Sequence, residues 1–119
     1  MNEPSALGTD AVDRAASAIE AMNLRVLDRD WAFGRHHLDL VATPGGDILA
    51  AVEVRVTGHG TTGACVAALT EARFQQATDA GRAWMRQHGS RYEDLWVVLV
   101  TVDPDRGVRL VTGNAAEVG

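Results

Sequence analysis

Residues 36–57, HHLDLVATPGGDILAAVEVRVT, are two alternating apolar runs joined by Pro-Gly-Gly, and each run carries one carboxylate where a hydrophobic residue would be unremarkable. A period of two marks a strand with a buried face, and the Pro-Gly-Gly break turns the two runs into a hairpin. With Gly45, Gly46 and Asp47 as a three-residue turn, Asp39 lies opposite Glu53 and His37 opposite Arg55. Directly opposed side chains have Cβ atoms about 4.5–5.5 Å apart. Two carboxylates that close repel each other unless a cation or a proton lies between them, which makes a divalent-metal site the economical explanation. A slip of one residue would send them to opposite faces. Without a metal, the same pair could sit near strand ends in salt bridges with Arg35, Arg55 or Arg73.

Working outward, Thr9 or Asp10 can cap a helix whose apolar positions Val12, Ala15, Ala16, Ile19 and Met22 follow the helical period, with Asn23 as its stop. Leu24–Phe33 reads as a short strand that breaks down into a polar turn. After the hairpin, GHGTTGA has no regular pattern and reads as a mobile loop; it lacks the Gly-Lys-Ser/Thr ending of a phosphate-binding loop. From about Val66 to His88 an amphipathic helix ends at Gly89. Leu95–Val102 is a buried strand, DPDRG a turn, and Val108–Thr112 a last, edge strand. The expected fold is an α/β domain in the order α-β-β-β-α-β-β, a mixed central sheet flanked by helices. Residues 1–8 would be a tail and 9–119 one domain.

Composition narrows the function classes. Among 119 residues the longest strongly apolar stretch, Leu95–Val102, is far short of the roughly 20 needed to span a bilayer. No basic-then-apolar leader is visible at the N-terminus. The single cysteine, Cys65, can form neither an internal disulfide nor a zinc site alone, and these points favour the cytoplasm. Net charge is -5, and all 11 basic residues are arginine. Strong nonspecific binding to nucleic acid depends on neutralising phosphates, so any such binding here is expected to be weak and steeply salt-dependent.

The order of elements and the spacing of LDLVA and VEVR resemble the restriction-endonuclease-like fold, with its Asp followed by a Glu-x-Lys strand. More closely, the chain resembles the YraN-like family of predicted endonucleases, related in fold to archaeal Holliday-junction resolvases. AASAIEAMNLRVLDRDW is similar to the family's first helix, strand and Asn-Trp; HHLDLVA to its Gly-Glu-Ile-Asp-Leu-Ile strand; AVEVR to its Val-Glu-Val-Lys. ALTEARFQQATDAGRAWM is similar to its second helix and RYEDLWVVLV to its Arg-Phe-Asp strand. The likeness covers most of the chain.

This resemblance implies Mg²⁺ or Mn²⁺ held by Asp39 and Glu53, a phosphodiester substrate such as branched or single-stranded DNA, and the Lys position helping to orient or deprotonate a water. Arg55 stands at that position, and arginine can orient a water or stabilise charge but cannot plausibly act as a base. The family's first-helix glutamate falls at Val12, with Asp13 one position later and turned about 100° around the helix. His36 and His37 replace its Gly-Glu, and only His37 is expected to face the site, as an accessory ligand or proton carrier. Arg73 matches a basic position opening the second helix and is a candidate contact to nucleic acid, as is Arg55. Trp31, Trp84 and Trp96 lie in or beside apolar patterns and are read as core. Cleavage is expected to be weakened or lost. The competing expectations are a noncatalytic descendant that uses the scaffold for protein interaction, with a homodimer through the last strand, and a module binding a small anion at Arg55.

Overall fold

The computed structural model describes residues 8–56, 71–89, 92–103 and 107–117. Within them the chain runs α1 (Gly8–Ala21), β1 (Arg25–Phe33), β2 (His36–Gly45), β3 (Ile48–Val56), α2 (Glu71–His88), β4 (Asp94–Asp103) and β5 (Gly107–Glu117), the order predicted from the sequence. The strands form one sheet, β1-β2-β3-β4-β5, in which β3 and β4 are parallel and every other pair is antiparallel. A parallel pair needs a crossover connection, and α2 lies within it. This five-stranded mixed sheet with two helices is compatible with a restriction-endonuclease-like core.

Two apolar layers flank the sheet. Ala11, Ala15, Ala16 and Ile19 of α1 cluster with Leu40, Ala42, Ala50, Val52, Val54, Val98 and Val100 on one face. Ala77, Ala80, Ala83, Trp84 and Met85 of α2 cluster with Val41, Leu49, Ala51, Leu95 and Val97 on the other. With both faces of β2, β3 and β4 covered, their sequences read as nearly continuous apolar runs, so a charge inside them is conspicuous. Gly81 lets α2 approach closely, since a Cβ there would lie 2.9 Å from Leu95 Cδ1. Trp31 and Trp84 are buried and Trp96 packs against the α1 layer, so the three tryptophans serve the core.

Helix α1 stops as expected. Asn23 takes a left-handed φ of 71°, its N–H donates to Glu20 O, and the Leu24 N–H donates to Ile19 O at 3.0 Å, which together satisfy the terminal carbonyls. Its start differs: the helix begins at Gly8, so Thr9 and Asp10 lie inside the first turn. Gly89 ends α2 at φ 63°. The expected helical stretch 66–70, the glycine loop, Cys65 and the central residues of the DPDRG turn lie outside the described residues.

β1 ends at Phe33 as expected, with the turn into β2 at residues 34 and 35, whereas the hairpin turn and the last strand depart from expectation for identifiable reasons. Within β1, Asp30 adopts φ 48°. On one side of that residue Arg29 reaches Asp13 of α1; on the other Trp31 donates from Nε1 to Gln87 of α2. The hairpin loop is Gly46-Asp47, with Gly45 paired to Ile48, rather than a three-residue turn. A bulge between Ala42 and Gly45 absorbs the difference. Pro44 has no N–H for the ladder, and the Thr43 hydroxyl substitutes by accepting the Gly45 N–H at 2.9 Å and donating to Ile48 O at 2.6 Å. β5 extends to Glu117, five residues beyond the expected Thr112, because it follows β4 back to Asp94. Among the described residues no helix is long and apolar enough to cross a membrane.

Candidate functional site

Beyond the bulge the hairpin ladder pairs Ala42 with Ala50, Val41 with Ala51 and Leu40 with Val52. This is the register that sets Asp39 across from Glu53. Both project toward the α2 side, where Arg73 Nη2 reaches Glu53 Oε1 at 3.5 Å. Asp39 is only 5% exposed, and its Oδ2 accepts the Val54 N–H at 2.7 Å, so the β2 carboxylate is tied to the β3 backbone next to Glu53.

Burial dominates the electrostatics of the pair. It pushes the Asp39 carboxyl above the usual carboxylate range, against the lowering pull of the Val54 N–H, His37 and Arg55. Glu53 is pushed up to about 7, first by burial and then by the Asp39 charge, with Arg55 and His37 opposing. At neutral pH the two groups therefore cannot both ionise without cost unless a cation joins them. Arg55 lies along this edge, its Nη1 donating to Val54 O at 3.1 Å and standing 3.6 Å from Glu53 Oε1. Both arginine contacts to Glu53 exceed ordinary hydrogen-bond length, so each is an ion pair without a close fork.

His37 bridges outward. Its Nε2 is 2.8 Å from Asp30 Oδ1 and its Nδ1 is 3.9 Å from Asp39 Oδ1, which places the ring between an exposed and a buried carboxylate. A cavity of about 520 Å³ opens over Glu53, lined also by Arg35, His36, His37, Arg73, Gln76 and Asp79. His36 therefore faces the site together with His37, which corrects the expectation that only His37 would. Arg35 was expected only as a salt-bridge partner of the pair, and Gln76 and Asp79 were not singled out by sequence reasoning. For Gln76 and Asp79 a signal existed: Gln76 follows Arg73 by three and Asp79 follows Gln76 by three, so each is a helix-surface neighbour of the one before.

Asp13 is not brought to the pair. Its carboxylate lies 2.6 Å from Arg29 Nη1, and Val12 packs against the α1 layer. Among the described residues no group of three or more His, Cys, Asp and Glu side chains is assembled for a metal. The donors on hand are the two carboxylates, a hard oxygen set. Mg²⁺ is typically held by one or two carboxylates with water and substrate phosphate completing its shell, so Asp39 and Glu53 fit such an ion.

Residues 12–101 match the Uncharacterised protein family UPF0102. A UPF0102 protein of Halorhodospira halophila is 31% identical over 73% of this chain and 71% of its own length. One of Streptomyces coelicolor is 30% identical over 75% and 68%, and one of an Arthrobacter species is 29% identical over 88% of each chain. The chain belongs to the UPF0102, or YraN-like, family.

Proposed function

We propose that this protein acts on nucleic acid through a divalent-cation site at Asp39 and Glu53, with phosphodiester cleavage slowed by Arg55. The observation that carries the proposal is the buried carboxylate pair beside a cavity bordered by Arg35, His36, His37 and Arg73, where a phosphate would meet positive charge and the pair would meet a metal. When bound, Mg²⁺ or Mn²⁺ supplies Lewis acidity to a phosphoryl oxygen and to a water. Asp39 and Glu53 bind it through oxygen, and the Val54 N–H fixes the Asp39 carboxylate. Arg73 and Arg35 border the entrance and neutralise phosphate. His37, held on Asp30, can carry a proton at the rim. Arg55 stabilises negative charge but takes no proton, because a guanidinium stays charged. Such a role belongs with cellular nucleic acid, in the cytoplasm.

A second reading is favoured by one observation: Arg55 and Arg73 both lie on Glu53 Oε1 and can neutralise it without a metal. In that case the protein is a noncatalytic descendant used as an interaction scaffold. Incubation of fluorescent branched and single-stranded DNA with the native protein and with Asp39→Asn, in Mg²⁺ and in Mn²⁺, separates the two. Slow cleavage that disappears in the variant supports the first reading. Product formed equally by both proteins, or by neither after prolonged incubation, favours the second.

A further inference from the structure

The hydrophobic side chains left largely exposed among the described residues include one aromatic ring, Phe33, at 52%. It closes β1 immediately before the turn into β2, and its inner side is backed by Trp31, with ring centroids 6.4 Å apart and planes at 22°. Trp31 is itself fixed, buried and donating from Nε1 to Gln87 Oε1 at 2.9 Å. The exposed ring is thus the outer member of an anchored stack. Beside it is a second hollow of about 280 Å³, lined by Phe33, His36, Ala83, Arg86 and Gln87. This is just under the roughly 300 Å³ at which drug-sized pockets begin, so it suits a smaller planar group. None of its lining residues is acidic, and Arg86 on α2 adds a positive charge. His36 lines this hollow and the Glu53 cavity alike, so the two adjoin.

A flat apolar face, an adjacent guanidinium and continuity with a larger cavity that carries Arg35 and Arg73 match the alternating chemistry of an unpaired nucleic-acid strand: base, phosphate, base. We propose that Phe33, with His36 and Arg86, forms a stacking subsite for an unpaired nucleotide of the strand that enters the Glu53 cavity. This rests on the nucleic-acid reading above and deepens it, since a fully paired duplex offers no free base face at that position. Stacking on a side chain tolerates any base, so the subsite selects single-stranded over paired nucleic acid without selecting sequence. The opposite occupant, a protein segment, would not need Arg86 beside the ring.

The test uses the full chain in EDTA, so that neither metal binding nor cleavage enters. Fluorescence anisotropy at low salt compares a labelled oligothymidylate, an oligouridylate, an abasic strand of equal length and a duplex, for native protein, Phe33→Ala, Phe33→Trp and Arg86→Gln. Expected is a loss of about 5- to 150-fold in oligothymidylate affinity for Phe33→Ala, the range that removal of one stacking side chain produces. The abasic strand and the duplex should be unaffected by that substitution, Phe33→Trp should restore binding, and Arg86→Gln should weaken every strand alike. The oligouridylate arm tells RNA from DNA as the source of the base. Native-like oligothymidylate binding by Phe33→Ala, an equal loss on the abasic strand, or no binding by native protein would each overturn the subsite. Phe33-dependent binding in a protein that never cleaves would retain the subsite and refute the nuclease reading; Asp39-dependent cleavage with Phe33-independent binding would do the reverse.

Discussion

The Asp39 carboxylate accepts the Val54 N–H at 2.7 Å, so a β2 side chain completes the β3 backbone one residue beyond Glu53. The bond gives Asp39 a structural role that can be separated from its charge. Asp39→Asn keeps an acceptor for Val54 and removes the buried charge, whereas Asp39→Ala leaves a buried N–H without that partner. Urea unfolding near neutral pH should find Asp39→Ala less stable than Asp39→Asn by about 1–3 kcal/mol. Equal stability of the two variants would show that the bond contributes nothing.

Glu53 should make the metal-free protein less stable as pH rises. Its folded pKa of about 7 lies above the ordinary 4.5, so between those values the folded state holds a proton that the unfolded state has released. Unfolding then releases a proton, and stability falls through this window, by on the order of 3 kcal/mol for the whole of it. Below 4.5 both states are protonated and above 7 both are ionised, so the effect is flat at either end. Glu53→Gln should be nearly neutral at about pH 4.5 and stabilising at about pH 8. A pH-independent difference in melting temperature between the two proteins would contradict this.

The same proton competes with a metal. Calorimetric titration with Mn²⁺ should show affinity rising by roughly ten-fold between about pH 6 and pH 8, as Glu53 passes from mostly protonated to mostly ionised. An affinity unchanged over that interval would place Glu53 outside the coordination shell.

Much of this site was legible because β2 and β3 are both buried. Alternation in LDLVA and AAVEV fixed which residues share a face, and the observed pairs Leu40–Val52, Val41–Ala51 and Ala42–Ala50 follow from it. The turn was misread locally, since the bulge at Thr43 and Pro44 depends on a hydroxyl bridging two backbone groups, which periodicity does not record. The extent of β1 was legible, but the partners of its polar residues Asp28, Arg29 and Asp30 were not: Trp84 of α2, Asp13 of α1 and His37 of β2. Those pairings span up to 56 residues and arise only when both helices are docked. Phe33 carried no signal at all, as an aromatic at a strand end is ordinarily core.

Arg55→Lys should raise Mg²⁺- or Mn²⁺-dependent cleavage of branched or single-stranded DNA above a native rate that is very slow or undetectable. The ammonium is smaller and can exchange a proton, whereas the guanidinium lies along Glu53 and the Val54 carbonyl. Adding Glu53→Gln to Arg55→Lys should remove the gain, and adding Val12→Glu to Arg55→Lys should enlarge it. Robust, Asp39-dependent cleavage by the native protein would refute the view that Arg55 restrains the site.

Arg73→Gln should weaken binding to all nucleic-acid sequences alike and reduce the steepness of the salt dependence by about one counterion. Arg73 stands at the cavity mouth and 3.5 Å from Glu53, so its contribution is a charge rather than a base contact. A sequence-selective loss in parallel anisotropy titrations would contradict that assignment.

The central claim is that Asp39 and Glu53 together hold a divalent cation. Calorimetric titration of Mn²⁺ into the native protein and into Asp39→Asn, which keeps the Val54 bond, tests it without a known substrate. The account predicts saturable binding at one site in the native protein and its loss in the variant. Identical titrations for the two proteins, or no binding to the native protein above pH 7, where Glu53 is ionised, would contradict it.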